Sequence, residues 1–97
     1  MNINRIMVGL KRRIKNYILS FKPKIIDGEA FKWHIYYIAF YKEIQKVKQR
    51  YNISESRMIE AVSHTVQSAM AELMDKNIYT RTKGGHDMLF LNAAFQY

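Results

Sequence analysis

The sequence predicts an α+β domain that is mostly helical, with three or four helices followed by a C-terminal two-stranded β-hairpin. Three observations lead there. Apolar residues recur every three or four positions through most of the first 76 residues, the period of a helix with one buried face. Pro occurs once and Gly four times, so little interrupts that period. Near the C-terminus Gly84-Gly85 separates two short runs of strand-forming residues, and a tight hairpin turn needs positive φ at both of its central positions. With 97 residues and 48% hydrophobic content, the chain suits one domain spanning 1–97. Residues 1–24 form a basic amphipathic helix or arm, and residues 30–95 the core with its hairpin.

In the first helix, 3–21, Ile3, Ile6, Met7, Leu10, Ile14, Tyr17, Ile18 and Phe21 form one stripe. Lys11, Arg12 and Lys15 lie off it and Arg13 widens the basic border. Pro23 stops the helix, since it has no amide hydrogen and restricts Lys22 before it. Residues 24–29 read as a linker in which Asp27-Gly28 favours a turn, and Asp27 or Glu29 suits the start of a helix over 30–50. That helix carries two apolar stripes: Phe31, Ile35, Ile38, Tyr41 and Ile44 on one, and Trp33, Tyr37, Phe40, Ile44 and Val47 on the other. It is either the central core helix alone or also a dimer interface. His34 is expected half-buried with one hydrogen bond.

Asn52-Ile53-Ser54 breaks the pattern, with Ser54 as an N-cap. Two readings of the next stretch stay open. One helix runs from 55 to about 76, or a short helix at 55–60 is followed by a bend at 61–64 and a second helix at 65–76. Ser63, His64 and Thr65 are weak helix formers and permit the bend. Asn77 suits a left-handed C-cap. Strands at 78–83 and 86–92 then flank the Gly pair.

The net charge of +8 is unevenly placed. Residues 1–26 hold seven Lys/Arg and no acid, and the remainder is nearly balanced. Such a field favours nucleic acid, an anionic membrane or an acidic protein. No apolar run approaches the length of a membrane span. Without Cys there is neither a disulfide nor a thiol nucleophile. The acids are scattered, and His34, His64 and His86 lack metal-ligand spacing. The reading is a non-enzyme with no cofactor, no metal and no small-molecule substrate.

The stretch 53–95 resembles a winged helix-turn-helix DNA-binding module of the bacterial, phage or plasmid type. Ser63-His64-Thr65 stands where that family opens its recognition helix, and Val66, Ala69, Met70 and Leu73 where the helix is seated. Asp75-Lys76-Asn77 occupies the following turn, and Arg81, Lys83, Gly84, Gly85 and His86 match a charged wing tip. Two departures stand out: no clear turn with Gly precedes the recognition helix, and that helix carries no Lys or Arg before Lys76. A weaker resemblance is to the amino-terminal domain of the elongation factor NusA, which contacts RNA polymerase; it rests on Glu60-Ala61 through Ala69 leading into a hairpin.

The winged resemblance implies a DNA-binding protein of transcription regulation or replication initiation, acting in the cytoplasm or in a host's cytoplasm. Helix 65–76 would enter the major groove, with His64, Thr65, Gln67 and Ser68 facing DNA. Gln67 is the best base reader, because its amide both donates to and accepts from adenine. Ser63, Thr65 and Ser68, with the helix-start amides, would grip phosphate, and Arg57, Arg81 and Lys83 would add charge. Lys11, Arg12, Arg13 and Lys15 would reach further along the backbone. A homodimer on double-stranded DNA is expected, since single modules bind weakly. The alternatives are an adaptor or inhibitor acting on a polymerase or other complex, and a peripheral membrane protein held by the basic helix.

Overall fold

A computed structural model describes residues 3–81 and 88–91. The first helix, α1, runs Ile3–Phe21 and buries Leu10, Ile14 and Ile18. It ends where Pro23 requires, with Lys22 at φ 45° and its amide donating to the Ile18 carbonyl (2.9 Å). The middle of the α1 stripe lies in the core, packed chiefly on the last helix, while Ile3 and Ile6 are half-buried and Phe21 is exposed. Ile14 and Ile18 are fully buried, so this part of α1 belongs to the folded body.

The expected linker contains a strand, β1, at Ile25–Asp27. Ile26 is buried and pairs antiparallel with Leu89. Asp27 closes β1 and caps α2 (Gly28–His34), its Oδ1 accepting from the amides of Glu29 (3.0 Å) and Ala30 (3.4 Å).

The expected single helix over 30–50 is divided. After α2 comes a π-helical turn, Ile35–Ala39, and then α3, Tyr41–Arg50. The Phe40 amide donates to the Ile35 carbonyl across five residues (3.1 Å), so one extra residue is wound into the helix. The shift in phase turns Phe40 and Ile44 inward behind Ile35 and Tyr36, and leaves Ile38 70% exposed. The buried set is thus Phe31, Ile35, Phe40 and Ile44 from the two expected stripes, together with Tyr36, which stood in neither. Ile38 and Tyr41 belong to the surface, beside Trp33 and Tyr37.

A tight turn follows, with Asn52 at φ 52°, and leads to α4, Glu55–Asp75. Ser54 caps it, its hydroxyl accepting from the Arg57 amide (3.3 Å). The helix is unbroken over 21 residues, about 31 Å. No bend falls at 61–64: the Thr65 hydroxyl donates to the Ala61 carbonyl within the helix (2.8 Å), and Val62, Val66 and Ala69 are buried on either side. Packing outweighs the weak propensity of Ser63-His64-Thr65.

Asn77 takes the expected left-handed conformation (φ 61°). β2 (Tyr79–Arg81) and β3 (Met88–Leu91) pair antiparallel, Tyr79 opposite Leu91 and Arg81 opposite Leu89. The expected tip, Lys83, Gly84, Gly85 and His86, lies outside the described residues. The sheet order is β1-β3-β2, so the C-terminal pair gains a third strand from the segment after α1. Tyr79 is buried, and its hydroxyl donates to the Pro23 carbonyl (3.0 Å), tying the sheet to the end of α1. Burial pushes that phenol up to about 12. The helices followed by an antiparallel pair make a winged-helix-like α+β arrangement.

Candidate functional site

The turn between two successive helices lies about ten residues earlier than the sequence suggests: α3 is followed by the turn Tyr51–Ser54 and then by α4, which leads directly through Asn77 into β2. The sequence signal for it was present in Asn52-Ile53-Ser54: a residue suited to positive φ, then a helix cap.

The predicted contact residues divide accordingly. Ser63, His64 and Thr65 lie in the middle of α4 and so have no helix-start amides beside them. Thr65 is buried and its hydroxyl is spent inside the helix, which removes it as a phosphate or base contact. His64, Gln67 and Ser68 are exposed, and Ser63 is half-buried. His64, Thr65 and Ser68 meet Lys11 around a shallow cleft between α1 and α4, with a volume of about 420 Å³. Gln67 stands on the exposed stripe of α4 with Ser56, Glu60 and Ser63. Arg57 is exposed in the first turn of α4. Arg81 is in β2, and Lys83 lies outside the described residues.

The cations of α1 are largely engaged within the protein. Lys11 and Lys15 (2.6 Å) both grip Glu72 of α4, and Lys15 is mostly covered. Hydrogen bonds from these two ammonium groups hold the Glu72 carboxyl down at about 2. Arg13 reaches Glu43 of α3 (2.9 Å) and lies over the Phe40 ring. The helix-start backbone of α3 and the Arg13 guanidinium keep Glu43 below its ordinary value. Arg12 is exposed and makes no ion pair among the described residues, as is also true of Lys42, Lys46, Arg50 and Arg57.

Charge is therefore sorted by element. Within α1 there are five Lys/Arg and no acid. Within α3, Lys42, Lys46, Lys48 and Arg50 outnumber Glu43. In α4 the balance reverses, with Glu55, Glu60, Glu72 and Asp75 against Arg57. The end of α3 and the start of α4 flank the turn with Lys48 (3.9 Å from Glu55) and the exposed Arg50 and Arg57.

His34 shares a hydrogen bond with the Tyr17 hydroxyl (2.7 Å) and stacks near Phe31, as a packed histidine does. The Tyr36 phenol is pushed up to about 12 by burial and then by neighbouring Glu55, to which it donates (3.4 Å). No group of three or more His, Asp or Glu side chains among the described residues is placed to hold a metal ion. No helix among them is long and apolar enough to cross a membrane. Compared with known proteins, the chain matches no family model, no curated protein and no solved structure. Its winged-helix-like character is thus a statement about architecture.

Proposed function

We propose that this protein is a non-catalytic regulator that binds double-stranded DNA through its winged-helix-like half and acts in transcription or replication in the cytoplasm. The observation that carries the reading is the order of elements: α3, the Tyr51–Ser54 turn, α4 and then directly an antiparallel pair. In this reading Arg50 and Arg57 meet phosphates on either side of the turn, and Lys48 adds to the local field. Glu60 and Gln67, on one exposed stripe of α4, address base edges: a carboxylate accepts from cytosine N4 and an amide pairs with adenine. Lys11 and Lys15 serve the fold, and the exposed Arg5 and Arg12 are the α1 cations left for a partner. A homodimer supplies the second half-site, with exposed Trp33, Tyr37, Ile38 and Tyr41 as its apolar contact.

One observation favours a second reading, a protein-binding adaptor. The helix that would enter the groove is net acidic, and a DNA groove repels it. Titration of labelled duplex DNA between roughly 50 and 200 mM salt separates the two. DNA binding is expected to weaken steeply with salt, with Arg57→Ala lowering affinity for all sequences and Gln67→Ala relaxing selectivity. Affinity absent even at the lowest salt leaves the adaptor reading in its place.

A further inference from the structure

A cleft of about 240 Å³ opens between α1 and α3, on a side of the molecule away from the exposed stripe of α4. Its floor is apolar and built from three helices: Leu10, Ile44 and Met58 are buried, and Ile6, Met7 and Val47 form half-buried walls. The volume falls below the ~300–1,000 Å³ usual for a small-molecule pocket, and suits one or two apolar side chains presented by a larger partner. Two methionines in the lining give it an adaptable surface.

Gly9 lines the same cleft. A glycine inside a helix is less favourable than an alanine. Among the described residues no packing partner calls for it: beyond its own chain neighbours and helix backbone, no atom lies within 4 Å of the place a Cβ would occupy. The bare backbone there lets a partner approach closely, as small residues do between packed helices. Around the opening the charge is mostly positive. Arg12 and Arg13 line it from α1, and Arg5 lies on the same helical stripe as Gly9 and Arg12. On α3, exposed Lys46 and Arg50 follow Glu43 at helical spacing, and Glu43 is itself offset by Arg13.

We propose that this cleft is a docking site for an amphipathic helix of an acidic protein partner. One or two of its bulky apolar residues enter between Leu10, Ile44 and Met58, its backbone passes over Gly9, and its carboxylates meet Arg12 and Lys46. Charge complementarity and the open glycine select this occupant: a neutral apolar helix would leave the cations unanswered, and a bare polyanion would leave the apolar floor exposed. The proposal does not depend on DNA binding by α4.

The test uses the full chain with methyl-labelled methionine and a synthetic peptide of about four helical turns, with Leu at helical spacing and Glu flanking the stripe. A peptide of the same composition with the stripe scrambled is the control. The methyl signals of Met7 and Met58 are expected to move on titration, while those of Met70 and Met74 in the core stay in place. Gly9→Trp fills the cleft and is expected to weaken binding at least about tenfold with no loss of thermal stability. Gly9→Ala verifies that a side chain is tolerated there. The double variant Arg12→Glu, Lys46→Glu is expected to weaken it about tenfold, mainly through slower association. Equal response to the scrambled peptide, or unchanged affinity in Gly9→Trp, overturns the proposal. So does a duplex DNA that moves Met7 and Met58 and displaces the peptide, which would assign this face to nucleic acid. A salt-dependent DNA affinity that is intact in Gly9→Trp would leave the DNA reading standing whether or not the peptide binds.

Discussion

The two longest helices, α1 and α4, lie against each other and carry opposite charge. α1 has five cations and no acid, whereas α4 has four acids and one arginine. Read apart, α1 is a ligand-seeking arm and α4 a helix with little to attract a phosphate. Packed together, they partly answer each other through Glu72, and the surplus positive charge moves to α3, the turn after it and the free face of α1. Net charge thus says that the protein attracts anions, and the pairing within the fold decides where.

The sharpest way to break this comparison is to ask whether α1 belongs to the core. Ile14→Ala removes a fully buried side chain between α1 and α4 and should cost about 2–5 kcal/mol in urea unfolding. A loss under about 0.5 kcal/mol, the range of surface substitutions, would return α1 to the status of an arm. The start of α4 is tested by Ser54→Ala. Loss of the cap on α4 should cost about 1 kcal/mol. Removal of the Thr65 hydroxyl by Thr65→Val should cost less, since its hydrogen bond is local to an intact helix turn. The order would reverse if the helix began near residue 65.

The smallest effect concerns the charge contact itself. Glu72 is held at about 2, below the ordinary carboxylate value of about 4.3. A group with a depressed folded-state value adds stability above its unfolded value and loses it as pH falls through the folded one. The contribution of Glu72 should thus be full at neutral pH and decline between about pH 4.3 and 2. In Glu72→Gln the acid limb of the stability curve should be flatter over that window, measured by urea midpoints, while an unchanged limb would mean that Lys11 and Lys15 do not engage Glu72 in solution.

Much of this fold was legible in the sequence because its signals are local. The α1 stripe, the stop at Pro23, the caps at Asp27 and Ser54 and the turn at Asn77 each depend on a few neighbouring residues. What escaped depends on distant partners. β1 is three residues long and exists because Ile26 finds Leu89, more than sixty positions away. The division of the second helix has no Gly or Pro to mark it; two competing stripes signalled a conflict but not its resolution. The bend expected at 61–64 rested on Ser63-His64-Thr65, weak helix formers that the winged resemblance set at a helix start. Burial of Val62, Val66 and Ala69 holds the helix through that stretch. The candidate site suffered most, since Lys11, Arg13 and Lys15 gave no hint in one dimension that Glu43 and Glu72 stood opposite them.

The π-helical turn at Ile35–Ala39 has a reach beyond its five residues. An α-helix advances about 100° per residue, so one residue added to the winding rotates everything downstream by that angle. Phe40, Ile44 and Val47, and with them the α3 wall of the cleft and the Lys46–Arg50 row, owe their bearing to that rotation. Winding the same residues as an unbroken α-helix would leave composition and net charge untouched. It would still swing the cationic edge away from α1 and bring Ile38 toward the interior, so the protein's outward character is set by winding as much as by side-chain chemistry.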